Sequence, residues 1–122
     1  MVPPSCAAIL VVEDEIDIRE LVVEFLRFAG FNVYGAENGR EALDILKSLP
    51  QPTLILADLM MPVMDGPALI AALRNDDRFA TLPVVIVTAA DIAAPQGYRR
   101  LKKPIILEDL LRMVNELCVR QQ

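Results

Sequence analysis

The residues that can do chemistry follow short apolar runs. Glu13-Asp14-Glu15 comes after AAILVV (7–12), Asp58 after LILA (54–57), and Thr88 after VVIV (84–87); Lys102-Lys103-Pro104 comes late in the chain. Carboxylates clustered in a half-buried site repel one another, so either their pKa values rise or a cation sits among them. Oxygen donors without imidazole or thiolate favour a hard ion, Mg²⁺ first and Mn²⁺ next. An ammonium and a hydroxyl opposite would complete a clamp for phosphoryl oxygens. A central carboxylate can itself be the nucleophile, giving an aspartyl phosphate. Each residue also has a plainer use. Glu13 and Asp14 suit a helix N-terminus, Asp58 a turn, Thr88 a strand end, and Lys103 the solvent. Their common position and order at the ends of apolar runs favour a single site.

That site needs elements to carry it. None of the three runs alternates polar with apolar residues, which fits strands buried on both faces of a parallel sheet. Between them lie helical stripes. Ile18, Leu21, Val22, Phe25 and Leu26 form the first, which Gly30 ends at a C′ position. Ala42, Leu43, Ile45, Leu46 and Leu49 form the second, and Ala68, Leu69, Ala72 and Leu73 the third. Leu107, Leu110, Leu111, Val114, Leu117 and Cys118 form the last, ending near Val119. Residues 31–36 read as a weaker strand closed by Asn38-Gly39. Five strands are expected, near Ala7, Asn32, Leu54, Val84 and Arg100. Alternating strands and helices imply right-handed crossovers with helices on both sheet faces. Ligands in such sheets bind beyond the carboxyl ends of the strands.

Composition narrows the rest. The 122 residues suit one domain, 1–122, and 54% are hydrophobic, enough for a packed core. A net charge of −5 lacks the basic footprint that phosphate backbones require, so no direct nucleic-acid binding is expected. The chain has no histidine, which excludes a Ser-His-Asp or Cys-His site and a His-ligated zinc. The two cysteines, Cys6 and Cys118, lie near opposite ends; this spacing predicts reduced thiols in a cytoplasmic protein, with Cys118 a small core residue on a helix. No apolar stretch approaches the ~20 residues of a membrane span, so no membrane insertion is expected. MVPPSCAAILVVEDE has no basic start and is not a signal peptide.

ILVVEDE at the first strand, LILADLMMPVMDG at the third, LPVVIVTAA at the fourth and KKPI at the fifth resemble the receiver domain of two-component response regulators, the chemotaxis-regulator-like fold. The resemblance covers nearly the whole chain, and DLMMPVMDG is its most specific part. It implies a flavodoxin-like, doubly wound α/β fold with a five-stranded parallel sheet in the order 2-1-3-4-5. It implies that Asp58 is the phosphoacceptor. Mg²⁺ would be held by Asp14, Glu13, Asp58 and the backbone carbonyl of Met60. Thr88 would be the switch hydroxyl and Lys103 the lysine that pairs with the phosphoryl group. Pro104 is the cis-proline candidate, in keeping with the small cost of cis X-Pro bonds, and Pro62 and Gly66 shape the loop after strand three. The implied partners are a sensor histidine kinase or histidine phosphotransfer protein, whose phosphohistidine donates in line to Asp58, and a downstream protein that reads the switched surface. In the family, the residues two past the Asp and two past the Thr tune hydrolysis. Here they are Met60 and Ala90, neither able to position water, which predicts slow autodephosphorylation.

The chain departs from the family in one place. Fourteen residues, AADIAAPQGYRRLK, separate Thr88 from Lys103. Strand five takes ~4 of them, leaving too few for a mean helix of ~11 residues, and Pro95 and Gly97 break the stretch further. Helix four is therefore expected to be absent or a single turn around 91–94. The family places its switch aromatic three residues before the Lys, where this chain has Arg100. Tyr98, two residues earlier, would share its strand face, either as a substitute switch or as an ordinary half-buried aromatic. The main rival reading is a decayed, non-phosphorylated interaction module. An Asp-nucleophile phosphohydrolase would carry a second acid where Met60 stands, and a nucleotide-binding domain a Gly-rich loop where Glu13-Asp14-Glu15 stands.

Overall fold

The computed structural model describes residues 6–89 and 95–118. Its elements run β1 (Ala8–Val12), α1 (Ile16–Phe28), β2 (Val33–Ala36), α2 (Gly39–Leu46), β3 (Thr53–Asp58), α3 (Gly66–Arg74), β4 (Val84–Thr88), β5 (Arg99–Lys102) and α4 (Leu107–Leu117). The five strands pair in parallel in the order β2-β1-β3-β4-β5. All five expected strands are present, and the order is the expected one.

The unbroken apolar runs become the three central strands, β1, β3 and β4, buried along their whole length. Successive side chains alternate between two cores. Leu10, Val12, Ile55, Ala57, Val84 and Ile86 face α2 and α3. Ile9, Val11, Leu54, Leu56, Val85 and Val87 face α1 and α4. Helices cover both faces, so neither face can afford polar residues. The edge strand β5, RRLK, buries only Leu101.

The helices follow the stripes with two differences. Leu21 is 55% exposed, off the core face that Val22, Val23 and Leu26 define. On α3 the buried set is Leu69, Ile70 and Leu73, while Ala68 is exposed. Gly30 does end α1, with φ 102° one residue beyond the cap Ala29. Asn38 caps α2 by accepting from the Glu41 N–H, and Asp65 caps α3 by accepting from the Ala68 N–H, both at 2.9 Å. The last helix ends at Leu117, close to the expected boundary. The described residues hold four helices, none of them between β4 and β5. The single turn expected at 91–94 lies outside the described residues, as does Ala90.

One expectation is overturned. Cys6 and Cys118 are not free thiols but a disulfide, with S–S 2.05 Å and Cα atoms 5.0 Å apart. β1 is a central strand and α4 packs on the face it presents, so the start of one and the end of the other meet across 112 residues of sequence. Cys118 is nevertheless the buried core residue expected. The Lys103–Pro104 bond is cis as expected; Gln51–Pro52 is cis as well, which nothing in the sequence signalled.

Candidate functional site

The strand register brings the polar residues to one edge. Val12 lies opposite Ala57, so Glu13 and Asp58 end neighbouring strands level with each other. Thr88 lies opposite Lys102, which sets Lys103 one step beyond. Three backbone bonds extend the ladders past the strand ends: Glu13 N–H to Ala36 at 2.9 Å, Leu59 N–H to Val87 at 3.1 Å, and Lys103 N–H to Thr88 at 2.9 Å. The site residues are thus held by sheet hydrogen bonding rather than by free loops.

At this edge Lys103 Nζ lies 3.0 Å from Glu13 Oε1 and 3.0 Å from Asp58 Oδ2. Glu13 and Asp58 are both buried, at 3% and 7% exposure, whereas Asp14 is exposed. One carboxylate oxygen from each of Glu13, Asp14 and Asp58 falls within 4.8 Å of the others. Such an all-oxygen cluster suits a hard divalent cation such as Mg²⁺ or Mn²⁺. Burial pushes the Glu13 carboxyl up to about 7; the Asp58 charge adds to this, and the hydrogen bonds from Lys103 and the Glu15 N–H counter it. Burial disfavours the Lys103 charge, but the hydrogen bonds to Glu13 and Asp58 outweigh it and raise its pKa above the usual lysine value.

Glu13 does not cap α1. That position belongs to Glu15, whose side chain makes no capping bond, while Glu13 turns inward and accepts from the Glu15 N–H at 3.2 Å. Arg19 Nη1 donates to the Glu13 carbonyl at 2.7 Å, a support that no spacing in the sequence pointed to. The loop after β3 closes tightly. A Cβ on Gly66 would stand 2.7 Å from the Asp58 carbonyl oxygen, so only glycine lets α3 begin this close to the acceptor strand. In the same loop Val63 has φ 67°, a rare conformation for a β-branched residue. Thr88 is buried at the end of β4, its hydroxyl donating to the Ala89 carbonyl at 3.1 Å. Met60 is exposed beside Asp58.

Tyr98 is placed differently from the rest. Its hydroxyl accepts from Arg74 Nε at 3.0 Å, and the guanidinium carbon lies 5.3 Å from its ring centroid. Arg74 also donates to the carbonyls of Ala80 at 2.9 Å and Leu82 at 3.2 Å. Tyr98 is therefore tied to the end of α3 and packs against the core on that face.

The family model described as the response regulator receiver domain matches residues 9–115. This chain belongs to the response regulator receiver domain family. Response regulator Rre1 of Synechocystis sp. is 40% identical over 123 residues, covering 94% of this chain and 53% of that protein. Response regulator MprA of Mycolicibacterium vanbaalenii is 37% identical, covering 92% of this chain and 50% of that protein. The receiver domain thus spans about half the length of the curated relatives it matches. Among solved structures, the chemotaxis response regulator CheY4 of Vibrio cholerae superposes with a TM-score of 0.80 at 30% identity, covering 92% of this chain and 98% of that one. Receiver domains serve two-component signal transduction, and in this one Glu13, Asp14 and Asp58 lie close together. No helix among the described residues is long and apolar enough to cross a membrane.

Proposed function

We propose that this receiver domain accepts a phosphoryl group on Asp58 from a phosphohistidine donor and so switches a protein-interaction surface. The observation that carries the reading is Lys103 Nζ set 3.0 Å from both Glu13 and Asp58. An ammonium shared between two buried carboxylates is already where a third anionic group on Asp58 would need it.

Asp58 attacks phosphorus in line, forming an O–P bond as the P–N bond to the donor imidazole breaks. Lys103 then pairs with a phosphoryl oxygen, and Thr88, at the end of the adjacent strand, turns its hydroxyl toward another. Glu13, Asp14, Asp58 and the Met60 carbonyl would hold Mg²⁺ or Mn²⁺, which supplies neutralisation of charge on the phosphoryl oxygens. The donor is a histidine kinase or a histidine phosphotransfer protein, since this chain has no histidine of its own. Asp58 is 7% exposed, so the donor must dock closely. An apolar groove of about 480 Å³ between α1 and the Lys103-Pro104-Ile105 segment, lined also by Ile18, Leu21 and Val22, lies beside the site for this purpose. With its exposed side chain at Leu21, it puts to use the residue of the α1 stripe that the core leaves out. The domain works in the cytoplasm, as one receiver unit over residues 1–122.

Phosphoramidate, a small donor with a P–N bond, tests the reading. With Mg²⁺ it is expected to give a phosphoryl adduct that is absent in Asp58→Ala and decays over minutes or longer, because Met60 cannot position water. A lifetime of seconds contradicts the slow-hydrolysis part. No adduct with phosphoramidate or a cognate kinase favours the decayed interaction module.

A further inference from the structure

Cys6 and Cys118 lie at the amino end of β1, opposite the carboxylates at its carboxyl end, and take no part in that chemistry. We infer that this pair is a reversible redox latch, which fixes the last turn of α4 to the start of β1 when oxidised and frees it when reduced.

The latch sits where the fold is otherwise thinly held. Of the eleven residues of α4, Leu110 and Val114 are buried, and Cys118 continues that line at the next i+4 position. Ile106 provides no side-chain cap at the front, and no basic residue stands in the last turn. The Arg99–Glu116 ion pair nearby is about half exposed, and such pairs contribute little. At this end Val114 and the disulfide hold the helix together with the half-buried Met113 and Leu117. Because Leu117 and Cys118 close the last helix, their turn can open without disturbing the sheet. Fraying of the helix backbone around the tethered Cys118 admits a nucleophile to the sulfurs of two residues that are otherwise only 7% and 4% exposed.

The same surroundings suit the reduced state. Cys6 Sγ lies 3.8 Å from the Leu117 carbonyl oxygen, so a thiol there has an acceptor facing it. The remaining neighbours are the apolar residues of the core shared with α1 and α4, in which a free thiol packs as a small hydrophobe.

The exchange balances with a dithiol reductant. Its thiolate attacks one sulfur of the Cys6–Cys118 bond, releasing the other as a thiolate and leaving a mixed disulfide. The second thiol of the reductant resolves that intermediate. Two electrons pass to the cysteine pair, both cysteines end as thiols, and the reductant ends as a cyclic disulfide. A disulfide oxidant reverses each step.

The test uses the whole chain with dithiothreitol as the reductant. Cysteines are blocked with N-ethylmaleimide in denaturant and counted by intact mass, and amide hydrogen exchange is followed in parallel. The aerobically purified protein is expected to take up no maleimide, and the reduced protein to be labelled at both cysteines. In the reduced protein, exchange at the Cys118 amide, which donates to the Val114 carbonyl, is expected to rise by about tenfold or more. Amides of α3 that exchange by local opening stay unchanged, those that exchange only through global unfolding speed up with the lost stability, and removal of the reductant in air restores the first pattern. A Cys6→Ser, Cys118→Ser variant should behave as the reduced form with or without dithiothreitol. If that variant does not fold, reduction of the unaltered chain still decides. Free thiols in the purified protein, unchanged exchange at the Cys118 amide on reduction, or an equal rise at locally opening amides throughout the domain each overturn the latch.

Discussion

Glu13 and Asp58 can share a buried edge because Lys103 stands between them, and burial, with a smaller contribution from the Asp58 charge, keeps the Glu13 pKa raised. A carboxyl raised in the folded state contributes stability below its ordinary value of 4.5, and this is lost as pH rises through about 7. The metal-free domain is therefore expected to lose stability across that window, and Glu13→Gln to flatten the loss, as read by denaturant titration at several pH values. Divalent cations need the ionised form. Mg²⁺ affinity is expected to increase as pH rises toward about 7 and to level off above it. Binding at lower pH should release a proton, measurable by calorimetry in buffers of different ionisation enthalpy. Val63, at φ 67° and 76% exposed, has strain to lose and little burial. Val63→Asn is expected to raise stability by about 1 kcal/mol, and an unchanged denaturation midpoint would count against strain there. At this scale the positions of Glu13, Asp58 and Thr88 at the sheet edge were legible because each ends or follows a strand whose apolar run marks it, while Lys103, after the mostly polar RRLK, was marked by KKPI. Arg19 and Arg74 were not, because a helix-borne arginine that reaches a carbonyl carries no spacing signature.

Among the elements, the parallel strands set the site by register, and the helices set what surrounds it. The β3–α3 connection is the tightest part. Gly66→Ala would force a Cβ against the Asp58 carbonyl, and is expected to cost about 1–3 kcal/mol. It should also slow phosphorylation by a small-molecule donor although Asp58 itself is intact; a variant with unchanged stability and rate would show that the loop tolerates displacement. Arg74 ties α3 to Ala80, Leu82 and Tyr98. Arg74→Ala leaves those acceptors without a donor and is expected to lose about 1–3 kcal/mol by thermal or chemical denaturation, whereas Tyr98→Phe, which removes one bond, should lose less. The three central strands were readable from continuous apolar runs, and the order of all five followed from the resemblance. Leu21 was misassigned because three- and four-residue spacing cannot tell the margin of a core stripe from an exposed apolar position next to it. The shortness of AADIAAPQGYRRLK showed that no full helix fits between β4 and β5, and it did so by chain length alone.

For the described residues as a whole, the disulfide joins the start of β1 to the end of α4. Closing a loop of 112 residues constrains the unfolded chain, so reduction is expected to lower global stability by about 4–5 kcal/mol in the chain-entropy account, as read by denaturant unfolding with and without reductant. Equal midpoints would place the stabilisation elsewhere. This bond was not legible, because cysteine spacing in sequence says nothing about two ends that meet only through the order of the sheet. The acidic edge was legible, because one sheet delivers every strand end to the same side. What that edge does is decided most directly by intact mass after incubation with acetyl phosphate. In Mg²⁺ the chain is expected to gain one phosphoryl group, mapped to Asp58, while chelation of the metal or the Asp58→Asn substitution abolishes the gain. An adduct that survives in Asp58→Asn, or none in the unaltered chain with Mg²⁺, would contradict the account.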